Sequence, residues 1–146
     1  MKGYLNREQE TRDAFIDGAL RSGDVGYLDA DGYLFVTDRI KDLIICSGHN
    51  VYPRVIEDAL YEHPAVAEAV VLGVPDSYRG QAPLAFVTLR AGEFRTGDEL
   101  RDFLRDKISP IEMPLRVEIR TSLPKTMVGK LSRKELLKEA IATSSA

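Results

Sequence analysis

The chain has 146 residues, 44% hydrophobic and 29% charged, with a net charge of −3. At roughly 100–200 residues per domain this is one domain, or one and a piece of another, which excludes most complete multidomain enzymes. The composition also excludes a disordered or fibrous chain. A single cysteine, Cys46, rules out an intrachain disulfide, and with only His49 and His63 beside it a Cys- or His-built metal site is not indicated. No apolar run approaches the ~20 residues of a membrane helix, and the opening MKGYLNREQE is unlike a signal peptide. The chain therefore reads as cytoplasmic, or peripheral at a membrane.

The charge is unevenly spread. Residues 1–31 hold four basic and seven acidic side chains, whereas residues 120–138 hold six basic and one acidic. A basic C-terminal segment on an acidic protein suggests either a local anionic ligand such as phosphate or a solvated helix face.

Residues 1–20 show charged turns around a weak helical pattern and too few apolar residues for a core of their own. The segments Gly26–Leu28 and Tyr33–Val36 flank an Asp31-Gly32 turn and read as a β-hairpin. Asp38-Arg39-Ile40-Lys41-Asp42 then places four charges in five residues, a linker or hinge, before Leu43–Cys46 resumes the apolar pattern. Ser47-Gly48-His49-Asn50 reads as a turn. Pro53 opens a helix, since its missing N–H costs nothing there, with Val55, Ile56, Ala59 and Leu60 on one face and an end near His63-Pro64.

Val66–Val74 and Pro83–Leu89 read as two strands joined by the polar loop Asp76–Gln81. Thr96 and Glu99 form a capping box for a helix presenting Leu100, Phe103 and Leu104, Leu115–Ile119 alternates as a third strand, and a last helix runs from the Ser132/Glu135 capping box to about Ala140. The order β-hairpin, α, β, β, α, β, α describes an α+β fold, a small sheet of a hairpin and about three strands covered by about three helices.

Three segments spend glycine and charge where a plain fold would not need them. In Arg21-Ser22-Gly23-Asp24, an aspartate beside glycine can accept two hydrogen bonds from a diol such as a ribose, though such a turn is also an ordinary loop. Arg39 and Lys41, two apart in an extended segment, can point the same way, and Arg39 can bond a ligand bidentately; a solvated charged turn has the same spacing. Pro124-Lys125-Thr126-Met127-Val128-Gly129-Lys130-Leu131 resembles a phosphate-binding P-loop only superficially, because Pro124 stands where the first glycine belongs and Leu131 where the magnesium-binding hydroxyl belongs. What remains is a loop presenting Lys130, a mobile point charge suited to an oxyanion or phosphate.

Taken together, Met1-Lys2-Gly3-Tyr4, Ser22-Gly23-Asp24-Val25-Gly26-Tyr27, Asp38-Arg39-Ile40-Lys41-Asp42, Ser47-Gly48-His49-Asn50-Val51-Tyr52-Pro53 and Pro124-Lys125-Thr126 with Gly129-Lys130 resemble the AMP-forming acyl-CoA synthetase (acyl-adenylate-forming) superfamily, and most closely its bacterial long-chain fatty-acid–CoA ligase branch. The resemblance implies that residues 1–40 are the end of a large N-terminal AMP-binding domain and residues 41–146 a small mobile C-terminal domain. It further implies an ATP-dependent acid–thiol ligase that activates a carboxylic, fatty acid as acyl-AMP and transfers it to coenzyme A, with ATP and Mg2+ bound mainly by the larger domain, CoA as co-substrate, and this fragment inactive alone. Because the large-domain partners of residues 1 to about 25 would be missing, the resemblance also implies that this stretch is poorly ordered or pairs with another copy, giving a dimer of the fragment.

Carried over, Asp24 and Arg39 would bind the nucleotide ribose, and Lys41 would be the hinge. Lys130 would be the catalytic lysine that meets the acyl carboxylate and α-phosphate. Ser47, Gly48 and His49 would approach the pantetheine arm of CoA, and Arg105 its phosphates. The sequence departs from the family at Ser22 (usually Thr), Ala19 (often aromatic), Val55 (usually Glu) and Ile45 (Lys in the luciferase branch). A stand-alone, non-catalytic binding or regulatory module of the same fold is the alternative. A nucleic-acid-binding domain fits the basic C-terminal segment but not the acidic total or the lack of an aromatic platform.

Overall fold

The computed structural model describes residues 1–144 and divides the chain into two compact units, Met1–Lys41 and a second beginning at Asp42. The first contains helix α1 (Glu8–Asp13), a two-residue hairpin of β1 (Phe15–Ile16) and β2 (Ala19–Leu20), and a hairpin of β3 (Asp24–Leu28) and β4 (Leu34–Arg39). None of its residues is buried. Tyr27 and Phe35 stack across the β3–β4 pair at 5.3 Å between ring centroids, yet both remain exposed.

This hairpin is longer than the sequence reading, for a local reason. Asp29 Oδ1 accepts the N–H groups of Asp31 and Tyr33, pinning the turn, and the ladder continues through Asp38 and Arg39, which therefore lie in a strand rather than a linker. It also forms its own two-stranded sheet. The hairpin placed at the head of the domain sheet is a different one, from the second unit.

There, β5 (Ile44–Cys46) and β6 (His49–Val51) pair around Ser47-Gly48, so His49 and Asn50, read as turn, belong to a strand. Helix α2 (Pro53–Tyr61) follows, then β7 (Val66–Asp76), β8 (Gly80–Leu89), α3 (Gly97–Phe103), a 3-10 turn at Leu104–Asp106, β9 (Val117–Ile119) and α4 (Arg133–Ser144). The sheet order is β6-β5-β8-β7, antiparallel, with β9 parallel to β8.

The nearly unbroken apolar runs of β7 and β8 follow from burial on both faces. Ala69, Val71, Ala85 and Val87 face Ile56, Leu60, Leu100 and Leu104 of the α2 and α3 side. The alternate residues Val70, Leu72, Val74, Leu84 and Phe86 pack with Leu136 and Ala140 of α4. Helix α2 departs from its expected face at one position: Val55 is 43% exposed, while Glu57 turns inward and is buried. The α3 capping box forms as read, Thr96 and Glu99 each serving the other's backbone N–H. The loop between β7 and β8 is shorter than expected, because Asp76 Oδ1 accepts from Tyr78 and Arg79 and lets pairing resume at Gly80.

Candidate functional site

In the first unit, the strand register places Asp24 directly opposite Arg39. Arg39 Nε donates to Asp24 Oδ1 at 3.0 Å, and the pair is part-exposed, 29% for the Asp24 side chain and 54% for that of Arg39. The Ser22 hydroxyl accepts the Asp24 N–H, and the Gly23 carbonyl accepts the N–H of Ile40. One carboxylate oxygen is thus fixed by a guanidinium. The arrangement can present a carboxylate and a cation side by side at the rim of a groove lined by Ala14, Arg21, Gly23, Arg39 and Lys41. The sequence had put both residues on one ligand but not their mutual hydrogen bond. Lys41 lies within a 3-10 turn, Ile40–Asp42.

In the second unit, Lys130 sits on a tight turn whose closure is local. Lys125 and Leu131 bridge at its base, Thr126 N–H donates to the Lys130 carbonyl at 2.7 Å, Gly129 N–H to the Thr126 carbonyl, and Lys130 N–H to the Thr126 hydroxyl. Gly129 has φ +79°, the left-handed conformation that completes such a turn and that other L-residues adopt at a cost. Met127 and Val128 at the tip are exposed. Lys130 has no acidic partner among the described residues, in contrast to Lys125, whose Nζ lies 2.6 Å from Glu68 Oε1. An exposed ammonium without a counter-ion is available to an anion.

Ser47 and Gly48 form the two-residue loop of the β5–β6 hairpin, with φ +50° and +79°, the conformations of a type I′ turn. Ser47 N–H donates to the Arg79 carbonyl at 2.8 Å, and a methyl group added at Gly48 would meet open space. His49 is exposed beside it. Arg105, in the 3-10 turn that follows α3, bonds Asp102 at 2.8 Å, and no hydrogen bond joins it to the Ser47–Gly48 turn among the described residues.

Strand β7 separates these features. Glu68, which anchors Lys125, lies near its start, and Asp76, whose partner Gly80 pairs with Cys46, lies at its end; eight residues at roughly 3.3 Å each put the two anchors about 26 Å apart. The structure thus keeps the Lys125 base of the Lys130 loop and the Ser47–Gly48 turn at opposite ends of one sheet. Sequence reasoning missed one polar cluster altogether, Arg133 with Glu57 and Asp42. No local signal marked it, because Val55, Ile56, Ala59 and Leu60 define an apolar face that leaves Glu57 outside.

The family model described as AMP-binding enzyme C-terminal domain matches residues 55–130. A long-chain-fatty-acid–CoA ligase of Bacillus subtilis (strain 168) is 50% identical over 139 residues, which are 95% of this chain and 25% of that protein. Among solved structures, an amide bond synthetase from Marinactinospora thermotolerans is 39% identical with a TM-score of 0.90, over 97% of this chain and 28% of its own. The o-succinylbenzoate CoA synthetase of Bacillus subtilis, solved with its acyl-adenylate intermediate, is 40% identical with a TM-score of 0.85, over 93% of this chain and 28% of its own. The chain spans about a quarter of the length of these relatives. Because the family model covers just over half of the sequence, the chain belongs to the AMP-binding enzyme C-terminal domain family.

Proposed function

We propose that this chain works as the C-terminal part of an AMP-forming ligase that activates a carboxylic acid as its acyl-adenylate and passes the acyl group to a thiol, coenzyme A. The observation that carries the reading is Lys130: an ammonium without a partner among the described residues, held on a glycine-closed turn. Two negative groups, a carboxylate and the α-phosphate of ATP, must approach each other for adenylation, and a cation placed between them lowers that repulsion as the transition state forms. Asp24, oriented by Arg39, accepts hydrogen bonds from the ribose. The Ser47–Gly48 turn, with His49, offers backbone to the pantetheine arm in the second half-reaction, and Arg105 offers charge to the CoA phosphates. Rotation at Lys41 exchanges the two ends of the sheet between the half-reactions.

The acid is a fatty acid in this reading, on the strength of the 50% identical relative. In this reading the magnesium that accompanies ATP would be held mainly by the larger part of the ligase, and this chain alone would not turn over. No helix among the described residues is long and apolar enough to cross a membrane.

The test is Lys130→Ala in the full-length ligase. Acid-dependent pyrophosphate exchange into ATP should fall about 10²–10³-fold, the scale of losing one electrostatic stabiliser, while transfer from supplied acyl-adenylate to CoA persists. Unchanged exchange would remove Lys130 from the mechanism. The second reading, a non-catalytic module, is favoured by one observation: the unit beginning at Asp42 has its own core on both faces of its sheet. It predicts CoA or nucleotide binding by the chain with no effect of Lys130→Ala on any turnover.

A further inference from the structure

The Lys130 turn runs directly into α4, and the first residue of that helix holds three elements together. Arg133 Nη2 donates to both oxygens of Glu57, at 2.7 and 2.9 Å, while its Nη1 lies 3.6 Å from Asp42 Oδ2. Glu57 Oε1 also accepts the N–H of Val71 in β7 at 2.8 Å. The Glu57 side chain is only 10% exposed, and a carboxylate that deep is tolerated where it is paired and hydrogen-bonded. A planar guanidinium can serve two carboxylates on different elements at once, which the point charge of a lysine does poorly.

We infer that Arg133 is a positioning residue that fastens Asp42, the first residue after Lys41, to the body that carries Lys130. The inference rests on the reading above, in which Lys130 acts in adenylation and the chain turns at Lys41. Two residues separate Lys130 from Arg133, three steps of at most about 11 Å of chain, and the base of the turn is closed just ahead of Arg133 by the Ser132 N–H on the Pro124 carbonyl at 2.8 Å. Without the Asp42 arm, the segment between Lys41 and β5 could absorb part of any rotation. With it, movement at Lys41 passes through one guanidinium to α4 and the Lys130 turn. Glu57 supplies the fixed end, because it is tied to both α2 and β7.

The experiment is Asp42→Asn in the full-length ligase, which removes one charge of similar shape and leaves the buried Arg133–Glu57 pair intact. Pyrophosphate exchange should lose about tenfold in kcat, the cost of slightly misplacing a catalytic charge, with KM for ATP little changed. Transfer of supplied acyl-adenylate to CoA should be unaffected, and Asp42→Glu should restore exchange. Equal loss in both half-reactions marks a merely structural role and overturns the inference, as does unchanged exchange. Lys130→Ala run beside it separates the two ideas: if exchange survives that substitution, the assignment of Lys130 fails and takes this inference with it. If exchange collapses there but is untouched in Asp42→Asn, the inference alone fails.

Discussion

Arg39 and Asp24 face each other across the β3–β4 ladder, with the guanidinium Nε donating to one carboxylate oxygen at 3.0 Å. The pair lies at the surface, where such ion pairs contribute about 0–1 kcal/mol. In the proposed function its value is orientation: a carboxylate held from one side would present the other to a diol. Arg39→Ala should therefore leave the unfolding midpoint nearly unchanged but raise KM for ATP about tenfold in the full-length ligase, the loss of one charge-assisted contact. Asp24→Ala should raise it further. Unaltered ATP dependence in both variants would disconnect the pair from the nucleotide.

The Arg133–Glu57 contact is different, because Glu57 is buried. Arg133→Met strands its charge and should destabilise the chain by about 3 kcal/mol, the low end for breaking a buried pair because Arg133 itself is 30% exposed. The double variant Arg133→Met with Glu57→Leu removes both charges and should recover much of that loss, although it also frees the Val71 N–H. Urea unfolding of the four-member cycle gives the coupling directly, and additive losses would show that no buried pair was broken.

This cluster also shows where the sequence stopped being legible. Local rules sufficed for the starts of α2 and α4, at Pro53 and just after Ser132, for the Thr96/Glu99 capping box of α3, and for β7 and β8, whose apolar runs are long. They failed where partners are distant. Glu57 reads as a solvent-facing charge until Arg133, 76 residues away, is folded against it, and the apolar Val55 is left outside. The β5–β6 hairpin was missed because His49 and Asn50 look like turn residues, and only the positive φ of Ser47 and Gly48 reveals that two residues suffice. The Asp24 and Lys130 turns were visible from glycine and charge alone; the Asp24–Arg39 hydrogen bond depends on a strand register with a bulge between Val25 and Gly26, which no spacing rule supplies.

Gly129 can be tested without disturbing packing, since a methyl group added there would meet open space. Only the backbone conformation opposes substitution, by about 1–2 kcal/mol for an ordinary L-residue and less for asparagine. Gly129→Val should loosen the Lys130 turn, seen as faster amide exchange at Lys130 and reduced pyrophosphate exchange, and Gly129→Asn should be milder on both. Equal effects of the two substitutions would point to a steric cause instead.

Acid should weaken the chain through Asp76. The backbone N–H of Arg79, and next that of Tyr78, stabilise its charged form and hold its carboxyl below the usual range. Glu99 is lowered in the same way, chiefly by the Thr96 N–H. A carboxyl with a depressed folded value contributes stability that is present above its unfolded value, near 4, and is lost as pH falls through the folded one. Asp76→Asn keeps the acceptor and removes the titration. Urea unfolding at about pH 7 and pH 3 should show a smaller acid-induced loss in the variant than in the parent, and an identical loss would place the pH dependence elsewhere.

The separation of about 26 Å between Glu68 and Asp76 along β7 sets the last prediction, because features at opposite ends of one rigid sheet should fail independently. Gly48→Val places a branched side chain at φ +79°, straining the Ser47–Gly48 turn where a thiol would pass. KM for CoA should rise by about tenfold while pyrophosphate exchange stays at the parent rate, the kinetic split of a residue used in one half-reaction. Lys130→Ala should do the reverse, and the double variant should combine the two losses without coupling, since sites this far apart with no shared partner are additive. If Gly48→Val instead slows exchange as much as thioester formation, the two ends of the sheet do not serve separate half-reactions.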